Sequence, residues 1–337
     1  MCDGIGFLIY FSSLLILIIS VLLVKKNKFV MIISLFWIIL LASLRGSAGV
    51  DTRMYIFRFE NISDFSKIPI IESLLPFLMF IVRNISNSFS IFSLFYGAII
   101  SILYFYIFRK YPNSIYFGIS IFSVIFIDSL YNVVRIGLAL PLMFLAIVRS
   151  SKTLLFIAGQ AHISTFLAFP LKSFRKYRLI ICLILFIIFI YLFLILPDLP
   201  LTQRYLSKFK VYMSLSPRFE FSGISDTIGL WVALAIYYRV KGNKWKKWFR
   251  FNLISLILMV IFYLIVVNHF VFMLRVVRTY MIAIYALIAM EERKLDKVAF
   301  MIAFLFGLLY TSNFLRQIVA SCSYLEGGFL PLHLTIY

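Results

Sequence analysis

Apolar runs of membrane-spanning length follow one another along nearly the whole of this chain, and that pattern restricts the fold more than any other feature. The runs are Gly6 to Val24, Phe29 to Leu44, Phe89 to Phe108, Ile115 to Leu130, Val134 to Val148, Leu179 to Leu196, Ile228 to Tyr238, Phe251 to Val267, Phe272 to Met290 and Val298 to Leu309. A helix needs roughly 20 apolar residues to cross a bilayer, and inside the hydrocarbon each segment must satisfy its own backbone hydrogen bonds. The sequence therefore predicts an all-α fold, a polytopic integral membrane bundle of about ten spans. The alternating pattern of a membrane barrel is absent. No polar block is long enough to build a core of its own, so residues 1–337 read as a single membrane domain. The short run Ile228 to Tyr238 is expected to extend into its polar flanks.

Charge supplies the orientation. The chain carries 33 Lys and Arg against 13 Asp and Glu, a formal net charge of +20. In a soluble protein that excess would point to nucleic acid, but no nucleic-acid motif is present and the cations sit in short blocks between apolar runs. The blocks are Lys25 to Lys28, Arg109-Lys110, Arg149 to Lys152, Lys172 to Arg178, Arg239 to Arg250 and Arg293 to Lys297. The positive-inside rule makes them cytoplasmic, where anionic lipid meets them. Most of the acids fall in the intervening polar stretches, which are then external, with the main external loops near 45–72 and 197–225. No basic segment precedes the first run and Lys25 to Lys28 follow it, so that run reads as a retained span with the N-terminus outside. Cys2, Cys182 and Cys322 share no metal-type spacing, and no cofactor is indicated.

Two segments depart from the spanning pattern. Ser73 to Ile85 is short and contains Pro76 and Arg83, which suits an amphipathic or partly inserted helix on the outer face. Leu154 to Leu171 is interrupted by Gly159, Gln160, His162, Ser164 and Thr165. If it crossed alone, every later basic block would move outside, so a re-entrant or broken helix is preferred. Full crossing by both segments restores the later orientation but places Arg109-Lys110 and Arg149 to Lys152 outside. The external loop 197–225 holds Tyr205, Phe209 and Tyr212 at i, i+4, i+7, the spacing of an interfacial helix with an aromatic stripe.

Outside the cytoplasmic blocks, the costly charges concentrate at a few places. The stretch Leu44-Arg45-Gly46-Ser47-Ala48-Gly49-Val50-Asp51-Thr52-Arg53-Met54-Tyr55 comes after the second span. Its ordinary reading is a polar loop in which Asp51 caps a helix. Arg135 heads the span near Val134, His162 lies in the broken segment, and Arg275 and Arg278 share one helical face near the outer boundary. Outward arginines outnumber the acids available to pair with them, Asp51, Asp128 and Asp226. An anionic ligand such as a diphosphate would redress the balance, since guanidinium forks match phosphate oxygens.

These residues carry a resemblance. The pattern Arg-x-x-x-Gly-(Val/Thr)-Asp-Thr-x-x-Tyr at Arg45, Gly49, Val50, Asp51, Thr52 and Tyr55 is followed by Glu72. After it come Arg135 with Ala139, His162 with Ser164, an Arg-x-x-x-Tyr-like element around Arg278, and Leu330-Pro331 near the end. Together, in this order, they resemble the EpsG-type branch of the Wzy polysaccharide polymerases. Ile136 stands where that family often has Gln, and Leu332 where an aromatic is common.

The resemblance implies a metal-independent glycosyltransferase of the bacterial cytoplasmic (inner) membrane with its active face outward. It would join polyprenyl-diphosphate-linked oligosaccharide repeat units into O-antigen, capsular or exopolysaccharide chains. Implied partners, besides membrane lipid and the lipid-linked substrate, are a chain-length regulator and a flippase. Joined to the charge map, it makes Arg135, Arg275 and Arg278 diphosphate ligands and Tyr55 and Tyr205 substrate contacts. His162 or Asp51 then serves as proton acceptor, and Arg45 orients Asp51 or the donor. No Asp-x-Asp pair offers a cation site. At about 1.5 Å per residue, His162 reaches only near the midplane from the cytoplasmic side, so a base there needs a cavity dipping from outside. The alternatives are a flippase or transporter of lipid-linked oligosaccharide, for which repeat halves would be expected, and a polysaccharide ligase or acyltransferase.

Overall fold

The computed structural model describes residues 15–23, 28–43, 52–131, 134–168, 221–241, 270–292 and 296–320, and every regular element among them is helical. Residues 15–23 form α1, followed by α2 (Lys28–Ser43), α3 (Thr52–Asn61), α4 (Leu74–Ile85) and α5 (Phe89–Lys110). Helix α6 covers 115–131 and contains a π-helical turn at Gly118–Phe122. Then come α7 (Val134–Arg149), α8 (Lys152–Ala161), a 3₁₀ segment at Ile163–Ala168, α9 (Phe221–Lys241), α10 (Phe270–Ala289) and α11 (Lys297–Ala320). The expected spans Leu179 to Leu196 and Phe251 to Val267 lie outside the described residues, as does the aromatic stripe of Tyr205, Phe209 and Tyr212.

Among the described residues three stretches are long and apolar enough to cross a membrane: Phe89–Lys110, Pro112–Leu130 and Lys297–Arg316. Shorter apolar stretches occur in α2, α4, α9 and α10. The run at Ile228 does extend into its flanks, since α9 begins at Phe221 and ends at Lys241. Among the three long stretches, the one within α6 is the most buried, whereas α11 turns most of its surface outward. The outward residues are themselves apolar: Val298, Met301, Leu305, Leu308 and Leu309 on α11, and Ile91, Leu94, Phe95 and Ile102 on α5. Ridges of that kind suit lipid rather than water, and the chain is an integral membrane protein.

Aromatic packing fixes α5 to α6. Phe108 meets Phe122 edge-on at 4.7 Å between ring centroids, and Tyr104 meets Phe122 at 4.9 Å, geometries that add to plain burial. Near the other end of α5 the Tyr96 hydroxyl reaches the carbonyl oxygens of Val134 (2.7 Å) and Ser129 (3.2 Å). It thereby ties α5 to both sides of the α6–α7 connection. Across the bundle, the start of α11 is anchored by Asp296, whose Oδ1 accepts from the Ala299 N–H at 2.9 Å. Arg239 at the end of α9 donates to Asp296 Oδ2 at 3.2 Å. The Ala299 N–H and then the Arg239 charge hold this carboxyl below the usual carboxylate range.

The turn between α7 and α8 shows how a sharp antiparallel return is made without glycine. The Ser151 N–H bonds to the Ala146 carbonyl (2.9 Å) and the Ser150 N–H to the Ile147 carbonyl (3.3 Å), the double closure of a Schellman motif. Ser151 then caps α8 by accepting from the Leu154 N–H. The motif requires a left-handed residue, and Ser150 occupies it at φ 55°. Ser150→Gly is therefore expected to stabilise the protein by about 1 kcal/mol, the typical cost of a side chain in that region. A rise in the thermal midpoint of the detergent-solubilised protein checks it.

Candidate functional site

Helix α4 presents Leu75, Met79 and Val82 to the interior, one stripe at i, i+4, i+7, as its amphipathic pattern requires. This inward face brings the chain just ahead of α4 against the end of α8. The Ser73 hydroxyl donates to Gln160 Oε1 at 3.0 Å. Helix α8 stops directly after Gln160 and Ala161. The His162 N–H closes the final helical bond to the Ala158 carbonyl at 2.9 Å while His162 itself is extended, at φ −156° and ψ 126°. The chain then tightens into the 3₁₀ segment, whose first N–H groups need acceptors outside the helix. The Ile163 N–H finds Glu72 Oε1 at 3.3 Å, and the Ser164 N–H finds the ring nitrogen Nδ1 of His162 at 3.2 Å.

Arg135, in the first turn of α7, completes this group. Its Nη1 donates to Glu72 Oε2 at 2.6 Å, and the two side chains are 14% and 12% exposed, so the pair is held mostly away from solvent. His162 Nε2 lies 3.8 Å from Glu72 Oε1. Glu72 thus accepts hydrogen bonds from two separate parts of the chain, Arg135 and Ile163, with the His162 ring beside it, and it does so from a left-handed backbone at φ 56°. That conformation costs a non-glycine residue about 1–3 kcal/mol and persists only where surroundings enforce it.

The histidine tautomer is set by its neighbours. A backbone N–H can only donate, so Nδ1 of His162 is an acceptor, and the proton of the neutral ring resides on Nε2, on the side of Glu72. The Ser164 hydroxyl also contacts Nδ1 at 2.8 Å, and Thr279 of α10 donates to the Ser164 oxygen at 3.4 Å. A directional chain therefore runs from Thr279 through Ser164 to His162, whose Nε2 faces Glu72 at 3.8 Å.

The residue before Thr279 is the hub of a second group. Arg278 donates from Nε to Asp226 Oδ2 (2.9 Å) and from Nη1 to Asp128 Oδ2 (3.0 Å). Tyr310 donates to Asp226 Oδ1 at 2.5 Å. One guanidinium thus joins α6, α9 and α10, and the tyrosine adds α11. Asp226 is fully buried, and an ion of that kind persists only when paired and hydrogen-bonded.

Two of the three arginines that the sequence assigns to an anion, Arg135 and Arg278, hold carboxylates in this structure. Arg275 lies on α10 one turn before Arg278, with its side chain outside the described part. Arg45, Asp51 and Tyr205 lie outside the described residues. Tyr55 is fully buried on α3 and lines a cleft of about 310 Å³ between α3 and α4. Arg58, Lys67, Asn61, Pro76 and Met79 share that lining, so the cleft combines cations and an amide with an apolar wall. Its α4 wall starts at Leu75, a few residues beyond Glu72.

Glu72 belongs to the motif order of the sequence without a role of its own there, although an acid directly ahead of an inserted helix is the kind of costly charge that marks a site. Depth is the other point that the structure adds. From the Arg149–Lys152 turn, Arg135 stands about 21 Å up α7 and His162 about 15 Å up α8, at 1.5 Å per residue. The chain ahead of α4 comes down to meet both. The sequence model of the EpsG family matches residues 28–333 of the chain. No curated protein and no solved structure matches it.

Proposed function

The chain belongs to the EpsG family, and from that premise we propose that it is a polysaccharide polymerase of the bacterial cytoplasmic membrane. It joins polyprenyl-diphosphate-linked repeat units on the outer face, in the service of O-antigen, capsular or exopolysaccharide synthesis. The single observation that carries this reading is the convergence of Glu72, Arg135 and His162 at the head of α4, whose first turn lines a cleft with Tyr55, Arg58 and Lys67. Such a site offers what transfer of a glycosyl group from a diphosphate needs: cations for the departing diphosphate, and groups that handle the proton of the incoming hydroxyl.

The diphosphate-linked donor enters with its isoprenoid along the apolar wall formed by Pro76 and Met79 and its charge towards the arginines. Arg135, Arg275 and Arg278 receive the diphosphate, with Tyr55 and Tyr205 against the substrate and Arg45 orienting the donor or Asp51. A hydroxyl of the second lipid-linked unit attacks the anomeric carbon, and a single displacement inverts that centre. Arginine clamps stabilise the leaving charge without a metal ion. His162 and Asp51 are the proton acceptors that the motif order offers, but Nδ1 of His162 is already occupied by Ser164. A flippase that supplies the lipid-linked units and a chain-length regulator are the expected partners.

Purified protein given defined lipid-linked repeat units should form polymer with no nucleotide sugar and in the presence of EDTA. Dependence on a nucleotide sugar, or transfer of the units across the bilayer without joining them, would overturn the reading.

A further inference from the structure

We infer that Glu72 is the proton acceptor of the transfer step, and that Arg135 restrains it until a diphosphate draws the guanidinium away. The inference rests on the polymerase reading. It begins with the pairing around His162, whose Nδ1 is engaged by the Ser164 N–H at 3.2 Å and the Ser164 hydroxyl at 2.8 Å. The remaining nitrogen, Nε2, carries the proton in the neutral ring. A ring so arranged has no lone pair with which to take a proton from a sugar hydroxyl. It can only donate, and the Glu72 carboxylate stands on that side of the ring, with Oε1 3.8 Å from Nε2. His162 is therefore a positioning residue, oriented by Ser164 and Thr279 and directed at the carboxylate.

Glu72 has the attributes that the role requires. It is a carboxylate mostly shielded from water, fixed through Oε1 by the Ile163 N–H and through Oε2 by Arg135 at 2.6 Å. Its backbone is held in a conformation that surroundings must enforce. It directly precedes Ser73 and α4, whose first turn walls the cleft. In the resting arrangement the short charge-assisted bond from Arg135 stabilises the ionised carboxylate and makes it a poor base. A diphosphate competes for the same guanidinium with more negative charge and more acceptor oxygens. Transfer of Arg135 to the diphosphate leaves Glu72 with weaker donors and so with greater basicity at the moment the donor is seated.

The hydroxyl oxygen of the acceptor sugar forms a bond to the anomeric carbon, and its proton passes to Glu72. The bond from the anomeric carbon to the diphosphate oxygen breaks, and its electron pair leaves with the polyprenyl diphosphate. The protonated Glu72 loses its proton to solvent before the next cycle. No oxidant, nucleotide or metal enters.

The test uses the full-length protein in detergent or nanodiscs with lipid-linked repeat units. Glu72→Gln keeps the shape and the Ile163 contact but cannot accept the proton, and should lower polymer formation roughly 10²–10⁴-fold, the usual worth of a general base. Azide needs no deprotonation, so in this variant sodium azide should still displace polyprenyl diphosphate from the donor, with the glycosyl group recovered as a glycosyl azide of inverted configuration. Polymer formation by Glu72→Gln at the wild-type rate would overturn the proposal. So would loss of both polymer and azide product in a variant whose thermal midpoint matches wild type, since Glu72 would then serve binding alone. Should Glu72→Gln fail to fold, the paired variant Glu72→Gln with Arg135→Gln is compared with Arg135→Gln alone: a lower ratio of polymer to azide product in the pair supports the proposal, and an equal ratio overturns it. Wild-type protein that makes no polymer would instead count against the polymerase reading itself.

Discussion

Replacing Arg278 by Met is expected to destabilise the protein by about 3–5 kcal/mol, the range found when one member of a buried ion cluster is removed. Arg278 is the common partner of Asp128 and the fully buried Asp226, and Tyr310 already donates to Asp226. Removing the guanidinium leaves two carboxylates facing each other across the α6–α9–α10 junction with the positive charge gone. The Tyr310 hydroxyl supplies one hydrogen bond to Asp226 but no charge. Thermal unfolding of the solubilised protein measures the loss. A second substitution separates charge from packing: Arg278→Met combined with Asp128→Leu and Asp226→Leu should recover most of the stability, because apolar replacement of a buried ion network is often neutral or better. Polymerisation should stay lost in the combined variant if the cluster also serves the diphosphate. Unchanged stability of Arg278→Met alone would mean that the two acids are neutral or reach solvent.

Gly307→Val is expected to abolish recovery of folded protein. On α11 a Cβ at this position would lie 2.0 Å from the Ile119 carbonyl oxygen and 3.0 Å from its carbon, in the π-helical turn of α6. Both atoms are backbone, so no rotamer change relieves the contact. Helix α11 would have to move away from the buried helix α6. Close approach of small residues is how membrane helices gain packing where lipid offers no hydrophobic drive. Gly307→Ala meets the same oxygen with one carbon and should cost about 3 kcal/mol, the upper part of the range for overpacked cores. Size-exclusion profiles of the two variants against wild type make the comparison. A monodisperse, wild-type-like Gly307→Val would show that α11 does not seat on α6.

Much of this architecture is legible in the chain because hydrophobic periodicity and charge position are local properties. Phe89 to Phe108 reads as a span and the helix is Phe89–Lys110. Ser73 to Ile85 reads as an amphipathic insert and is the helix Leu74–Ile85, with one face inward. The interruption expected within Leu154 to Leu171 occurs at His162, where helix gives way to the 3₁₀ segment; the end of that stretch, past Ala168, lies outside the described residues. The π turn at Gly118–Phe122 is not legible in this way. Its backbone register answers to α11 and the aromatic cluster of α5, neither of which is near in sequence.

The site divides along the same line. Order and spacing single out Arg135, His162 and Arg278 as unusual, since an arginine or histidine at membrane depth is costly wherever it pairs. Which carboxylate each arginine meets is decided by contacts 63 residues apart for Arg135 with Glu72, and 150 and 52 residues apart for Arg278 with Asp128 and Asp226. Charge counting along the chain leaves these arginines in surplus and assigns them to a ligand. The tertiary structure gives both of them acids, and turns Nε2 of His162 towards Glu72. By itself, then, the sequence determined that the chain is an all-helical membrane protein of the EpsG family and that its few polar residues at depth matter. Only the packing of α4 against α8, with Arg135 reaching in from α7, decided that Glu72 is where Arg135 and His162 meet, because burial of a charge depends on partners that local pattern cannot specify.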